Sequence, residues 1–477
     1  MPLSGAADAA PRVPKPERVW VNRNLKMTSI SWIGFDMDYT LAIYDQARMD
    51  SLQVDATVDR LVKRGYPSSL VKLKYDYRFP IRGLLVDKRY GHILKMNRFK
   101  VVRKSWHGMQ PLSKEVIREL YTLQRIHPHT SRYHWIDTLF SLSEVTAYAA
   151  IVDALERHGA RVDYAKLFGD VRESIDEAHR DGTIYAKVLS NLEDFVYRDP
   201  WLAETLHKLR SAGKKLFLLT NSPWAYTDHV MRFLLGGKLP EYPSWRHYFD
   251  IVIVSAQKPT WFKEGRPLME RDGSVLRDVK SSFERGKVYE GGCLVEFERR
   301  LATAGSSILY VGDHIYGDML RSKKESAWRT AMVIQELDAE LEAHDRSNAE
   351  IARQRVLDEA RDDLEDELRF HQGKFKELSK AKDAESSAAR LLRKRDIERV
   401  RGELRAIHEE YARLRDTVDK SFHPYWGSLL KQDNELSSFG QQVETYADIY
   451  MRRVSCLRHY PPAQFFRSPH DLMPHEL

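Results

Sequence analysis

Four short apolar runs, each closing on a polar or charged side chain, set the frame of this chain. Residues 30–35 read as a buried strand that stops at Asp36. Lys215–Leu219 stops at Thr220, Ile251–Val254 ends shortly before Lys258, and residues 307–311 run into Gly312 and Asp313. Such lengths and near-continuous apolar character belong to parallel strands covered on both faces. Helical periodicities lie between them, as at 201–212 ahead of the second run. Short apolar strands alternating with amphipathic helices predict an α/β fold with a Rossmann-like parallel sheet core. Ligands of such sheets bind past the carboxyl ends of the strands, where all of these polar residues fall.

The same pattern divides the chain. Residues 1–27 read as an N-terminal arm containing Pro11, Pro14 and Pro16. Residues 28–45 and 198–340 supply the core. Between them, 46–197 is too rich in Leu, Val, Tyr and Trp to be a loop, and helical patterns such as 143–158 predict a mainly helical inserted cap. Asp272-Gly273 and Gly286 suggest a hairpin or long turn within 267–290. From about 336 to 420 the composition turns to Ala, Glu, Arg, Lys and Leu. Ile397, Val400, Leu404, Ile407, Tyr411, Leu414 and Val418 alternate by three and four, an apolar seam of coiled-coil type. Residues 341–477 are therefore expected to form a C-terminal helical extension, with Gly373 marking the turn of a helical hairpin. A seam of this kind covers either its own protein or a partner.

Composition narrows the function classes. At 477 residues the chain predicts two or three folding units. Hydrophobic residues make up 42% and charged residues 30%, the balance of a soluble globular protein. No apolar run is long enough to cross a bilayer, and no cationic-then-apolar leader pattern is visible. Two cysteines argue against a disulfide scaffold and for a reducing, cytoplasmic setting. The net charge of +7 suits anionic ligands such as phosphate esters. No groove-reading motif supports nucleic-acid binding.

The chemistry lies at the strand ends. Asp36 and Asp38, one residue apart in a turn, are costly together unless a cation compensates them. Mg²⁺ is a hard ion that takes carboxylate, carbonyl and water oxygens, and it answers that need. Thr220-Asn221-Ser222 offers a hydroxyl and adjoining amides to a phosphoryl group. Lys258 is a compact cation suited to a transferring phosphate. Gly312-Asp313-His314-Ile315-Tyr316-Gly317-Asp318 again sets acids just past an apolar strand, with glycines permitting a tight loop.

Phe35-Asp36-Met37-Asp38-Tyr39-Thr40-Leu41 resembles the first signature of the haloacid dehalogenase superfamily, and the other three motifs follow in that superfamily's order. The resemblance implies that Asp36 attacks phosphorus to form an aspartyl-phosphate. It makes Asp38 the general acid and then base, with its backbone carbonyl on the metal. It makes Asp313 a metal ligand and Asp318 a residue that orients the ligands or holds Lys258. Thr220, Asn221, Ser222 and Lys258 would bind phosphate. The Asp313–Asp318 motif, Lys323-Lys324, Trp328-Arg329-Thr330, Thr220-Asn221-Ser222 and Gly291-Gly292 are similar to the cytosolic IMP/GMP-type purine 5′-nucleotidases. In that family an inserted cap binds the base. Phe140 matches the stacking residue, and Arg172, Asp176 and His179 match residues around base and ribose. Asp137 and Ser141 stand where purine-specific members carry Asn, and Tyr185 where they often carry Lys. The function implied is Mg²⁺-dependent hydrolysis of purine nucleoside 5′-monophosphates in the cytoplasm by a homo-oligomer, with phosphotransfer to nucleosides as a side activity. Two alternatives stay open: a phosphatase of the same core acting on another ester, and a catalytically inactive scaffold.

Overall fold

A computed structural model describes residues 12–123, 126–279, 282–320, 325–380 and 384–469. The expected Lys323-Lys324 pair lies outside them. The described chain forms two compact units, one up to Asp338 and from Glu435 onward, the other Ala339–Asn434.

The first unit is built on a sheet of ten described strands. Trp32–Phe35 lies near its centre, flanked in parallel by Lys215–Leu219 on one side and Ile308–Gly312 on the other. Ile251–Val254 and Val288–Gly291 continue it in parallel beyond the former, and Arg329–Val333 beyond the latter. Trp32–Phe35, Ile251–Val254 and Ile308–Gly312 are buried along their whole length, which is why they carry no polar alternation. Gly34 allows this packing: a β-carbon there would meet the Phe217 ring at 2.1 Å. Leu268–Asp272 and Val275–Asp278 form an antiparallel hairpin at one edge, within the 267–290 turn region.

The insertion enters and leaves side by side, since Ile43–Tyr44 pairs antiparallel with Val196–Tyr197. Helices Gln46–Lys63, Leu142–Arg157, Tyr164–Arg180 and Thr183–Ser190 belong to it. It also holds a five-stranded antiparallel sheet in the order 110–111, 102–107, 92–96, 84–87, 133–136. The cap is mainly helical, as expected, and carries this sheet in addition. Leu84–Asp87 and His92–Met96 are buried on both faces, so they show no alternation that would have marked them as strands.

The C-terminal boundary is corrected. Helices Asn348–Leu378 and Ala384–Phe422 run antiparallel, with Arg353 on Glu410 and Glu367 on Arg399. The predicted seam has Ile397, Val400 and Leu404 buried. Gly373 lies inside the first helix rather than at the turn. From Glu435 the chain belongs to the first unit again. Ile449–Met451 joins the core sheet in parallel with Arg329–Val333, and Trp20–Val21 of the N-terminal arm closes on its other side. Three residues are too few to leave a periodic signal. No described helix is long and apolar enough to cross a membrane.

Candidate active site

The four motifs converge where the parallel strands end. The Asp36 amide donates to the Val311 carbonyl at 2.9 Å and the Thr220 amide to the Ile253 carbonyl at 3.0 Å, which locks the strand ends together. Carboxylate oxygens of Asp36, Asp313 and Asp318 all lie within 4.8 Å of one another. Lys258 Nζ bridges two of them, 2.9 Å from Asp36 Oδ2 and 2.7 Å from Asp318 Oδ1, and donates to the Tyr310 hydroxyl at 2.8 Å. Tyr39, Ser255 and Gln257 hold left-handed φ angles of 56°, 50° and 61° around this point. Non-glycine residues adopt that region at a cost and cluster at functional sites.

Burial dominates the electrostatics. It pushes Asp36 well above the usual carboxylate range, with Lys258 opposing and Asp318, Asp313 and Asp38 adding to the rise. Asp313 is raised to about 7 by burial and then by the charge of Asp318. Burial alone would discharge Lys258, yet Asp318 and Asp36 hold it well above the ordinary amine value. Two buried carboxylates and the half-buried Asp36 face one ammonium, a set costly to ionise together without a further cation. Such a set of hard oxygen donors fits a divalent cation of the Mg²⁺ class.

Asp38 stands apart from that trio. Its Oδ1 accepts from the Tyr44 hydroxyl and its Oδ2 from Ser222 Oγ, each at 2.6 Å. Burial raises its pKa, and the bonds from Ser222 and Tyr44 act against the rise. Asp36 thus faces the lysine and the acidic cluster, whereas Asp38 faces hydroxyls.

The remaining predicted residues divide. Thr220 is fully buried, and its Oγ1 accepts from the Ser222 amide at 3.1 Å. Asn221 binds the Lys258 backbone at both ends, donating to its carbonyl at 2.9 Å and accepting from its amide at 2.6 Å. The side chains of Asn221 and Ser222 are therefore engaged on Lys258 and Asp38. In the insertion, Phe140 meets Tyr39 edge-on at 4.7 Å and His179 at 5.9 Å. His179 touches Tyr185 at 5.9 Å and Tyr185 touches Tyr226 at 4.5 Å. The Tyr226 and Tyr44 hydroxyls are 2.9 Å apart, and Tyr44 closes back on Tyr39 at 5.0 Å. Six rings form a closed circuit beside Asp38. Asp137, Ser141 and Arg172 lie elsewhere, lining a cavity of about 920 Å³. There Asp137 pairs with His314 at 3.4 Å and Arg172 with Glu144 at 3.3 Å. Asp176 is exposed.

The chain matches the 5′ nucleotidase family over residues 19–477. It belongs to that family. A 5′-nucleotidase domain-containing protein of Dictyostelium discoideum is 30% identical over 475 residues, 97% of this chain and 75% of that one. Human 5′-nucleotidase domain-containing protein 2 is 29% identical over 463 residues, 93% and 82% of the two chains. Among solved structures, a predicted phosphoglycolate phosphatase from Haemophilus somnus is 15% identical with a TM-score of 0.27, covering 64% of this chain and 86% of that one. The likeness is faint. This 5′-nucleotidase family member is a phosphoric monoester hydrolase with a parallel α/β core, its Asp36 strand set between those leading to Thr220 and Asp313.

Several residues of the site carry no mark in the sequence. Tyr44 and Tyr226 are single aromatics without a motif. Tyr310 looks like any strand residue, yet its hydroxyl reaches Lys258 and donates to the Leu219 carbonyl at 3.1 Å. Arg82 lies in the insertion and donates to the Asp313 carbonyl at 2.7 Å.

Proposed function

We propose that the protein hydrolyses purine nucleoside 5′-monophosphates with Mg²⁺, by way of an aspartyl-phosphate on Asp36. The observation that carries this reading is the division between the two acids: Asp36 against Lys258, Asp38 between two hydroxyls. Asp36 and Asp313 would hold the ion through side chains and Asp38 through its backbone carbonyl. When bound, Mg²⁺ neutralises charge on the phosphoryl oxygens.

Asp36 forms a bond to phosphorus as the bond to the 5′-oxygen breaks. Protonated Asp38 gives its proton to that leaving oxygen. Asp38 then takes a proton from water, whose oxygen attacks phosphorus and frees Asp36 together with inorganic phosphate. Lys258 and Thr220 offset charge on the phosphoryl group throughout. Phe140 stacks on the base through an aromatic face. A nucleoside hydroxyl in place of water gives phosphotransfer, read as new monophosphate when inosine is supplied.

The test is phosphate release from a panel of IMP, GMP, AMP, CMP and sugar phosphates, with and without Mg²⁺, by wild type and Asp36→Asn. Purine monophosphates should lead, and D36N should fall to background. Equal rates for sugar phosphates would favour the other-ester alternative. Background rates from wild type on every substrate would favour the scaffold.

A further inference from the structure

We propose that Arg82 is a positioning residue for the metal-binding acid Asp313, acting through its main-chain carbonyl. The inference rests on the reading that Asp36 and Asp313 hold a divalent cation.

Arg82 lies just ahead of the first strand of the insertion's sheet, and its side chain is fully buried. A buried guanidinium is costly unless its donors are partnered. Nε and one terminal nitrogen fork onto the Glu336 carboxylate at 2.8 and 2.6 Å. The other terminal nitrogen donates to the Asp313 carbonyl at 2.7 Å. The guanidinium also lies over the Phe439 ring, 4.7 Å from its centroid. Gly83 makes this approach achievable. Its φ is +83°, and a β-carbon there would meet the Phe439 β-carbon at 2.6 Å.

Four stretches thus meet on one side chain: the insertion, the loop after Ile308–Gly312, Glu336 beyond Arg329–Val333, and the C-terminal helix Ser438–Tyr446. The fork onto Glu336 fixes the plane and direction of the guanidinium, which a point charge could not do. Asp313 is held on its amino side by Gly312, in register with Met332 at the sheet's end, and on its carbonyl side by Arg82. Fixing both peptide flanks fixes the Cα–Cβ direction, and with it the aim of the carboxylate at Asp36 and Asp318. Release of the carbonyl lets the loop turn, and the three-acid cluster loses its geometry.

Binding of Mn²⁺ alone to the metal-free full-length protein, followed by electron paramagnetic resonance of the free ion, tests this. The variants are Arg82→Met, Arg82→Lys and Glu336→Gln, each checked for cooperative thermal unfolding. R82M should bind Mn²⁺ at least tenfold more weakly than wild type, with R82K and E336Q in between. The metal concentration for half-maximal activity should rise by a larger factor than KM for the substrate. Should R82M fail to fold, E336Q carries the test, because it retains the charge of Arg82 and loosens only the fork. Wild-type affinity in the folded variants would overturn the proposal and leave Arg82 a structural residue. No Mn²⁺ binding by wild type would instead remove the metal reading, and this proposal with it.

Discussion

The Tyr44 hydroxyl donates to Asp38 Oδ1 at 2.6 Å, so the Asp38 carboxylate takes its orientation from a residue at the mouth of the insertion. Burial raises Asp38, and this bond, together with that from Ser222, opposes the rise. Tyr44→Phe removes one opposing bond and lifts Asp38 further. In the proposed mechanism, the group that protonates the leaving oxygen then stays protonated to higher pH. The alkaline limb of kcat/KM should move upward, and kcat should fall roughly tenfold or more as the base step weakens. A pH–rate profile superimposable on wild type would remove Asp38 from proton transfer.

Gly312 ends the core strand Ile308–Gly312 under the Asp318 carboxylate. A β-carbon there would come within 2.5 Å of Asp318 Oδ2 and 2.7 Å of its carboxyl carbon. Gly312→Ala must displace Asp318, which holds Lys258 at 2.7 Å. A misplacement near 1 Å can cost about a hundredfold in rate, and a loss of kcat on that scale is expected with the fold intact. Steady-state kinetics alongside circular dichroism checks it. Activity within twofold of wild type would show that Asp318 tolerates the shift.

Phe140 is the aromatic of the insertion expected to stack on the base, and its ring stands edge-on to Tyr39. Base–aromatic stacking is worth about 1–3 kcal/mol, so Phe140→Ala should raise KM for a nucleoside monophosphate roughly 5- to 150-fold. Hydrolysis of ribose 5-phosphate, which has no base, should barely change. Equal losses on both substrates would mean that the ring supports Tyr39 rather than the ligand.

Asp50 is fully buried on helix Gln46–Lys63, with Oδ1 accepting from Gln46 at 2.7 Å and Oδ2 without a hydrogen-bond partner among the described residues. Burial raises its pKa to about 7, against the smaller effect of the Gln46 bond. The folded state therefore holds this proton more tightly than the unfolded state does. Stability from the group is complete below the unfolded value near 4 and is lost as pH rises through about 7. Asp50→Asn removes that loss. It should match wild type near pH 4 and be more stable at pH 8, by up to a few kcal/mol. Thermal unfolding at the two pH values decides; a constant difference between the proteins would disprove the linkage.

The position of the candidate site was legible because parallel strands advertise themselves as apolar runs and their carboxyl ends are fixed points of the sheet. Asp36, Thr220, Lys258 and Asp313 could be placed on that basis before any coordinate. Periodicity reports burial, not partners, and so it could not reveal that Tyr44 binds Asp38 or that Asn221 staples the Lys258 loop. It also failed where strands are buried on both faces, as at Leu84–Asp87, or very short, as at Ile449–Met451. Gly373 was misleading for a related reason. Within a helix as long as Asn348–Leu378, one glycine is a small penalty rather than a stop.

The position of Ile449–Met451 between Arg329–Val333 and Trp20–Val21 has a consequence for biosynthesis. The strand Trp32–Phe35 leaves the ribosome early, whereas the strand that completes this flank follows the whole helical hairpin. Until it arrives, Arg329–Val333 offers an open row of amides and carbonyls on a hydrophobic strand, the kind of edge that recruits other nascent chains. Premature stops after the hairpin should therefore yield insoluble protein rather than a trimmed enzyme.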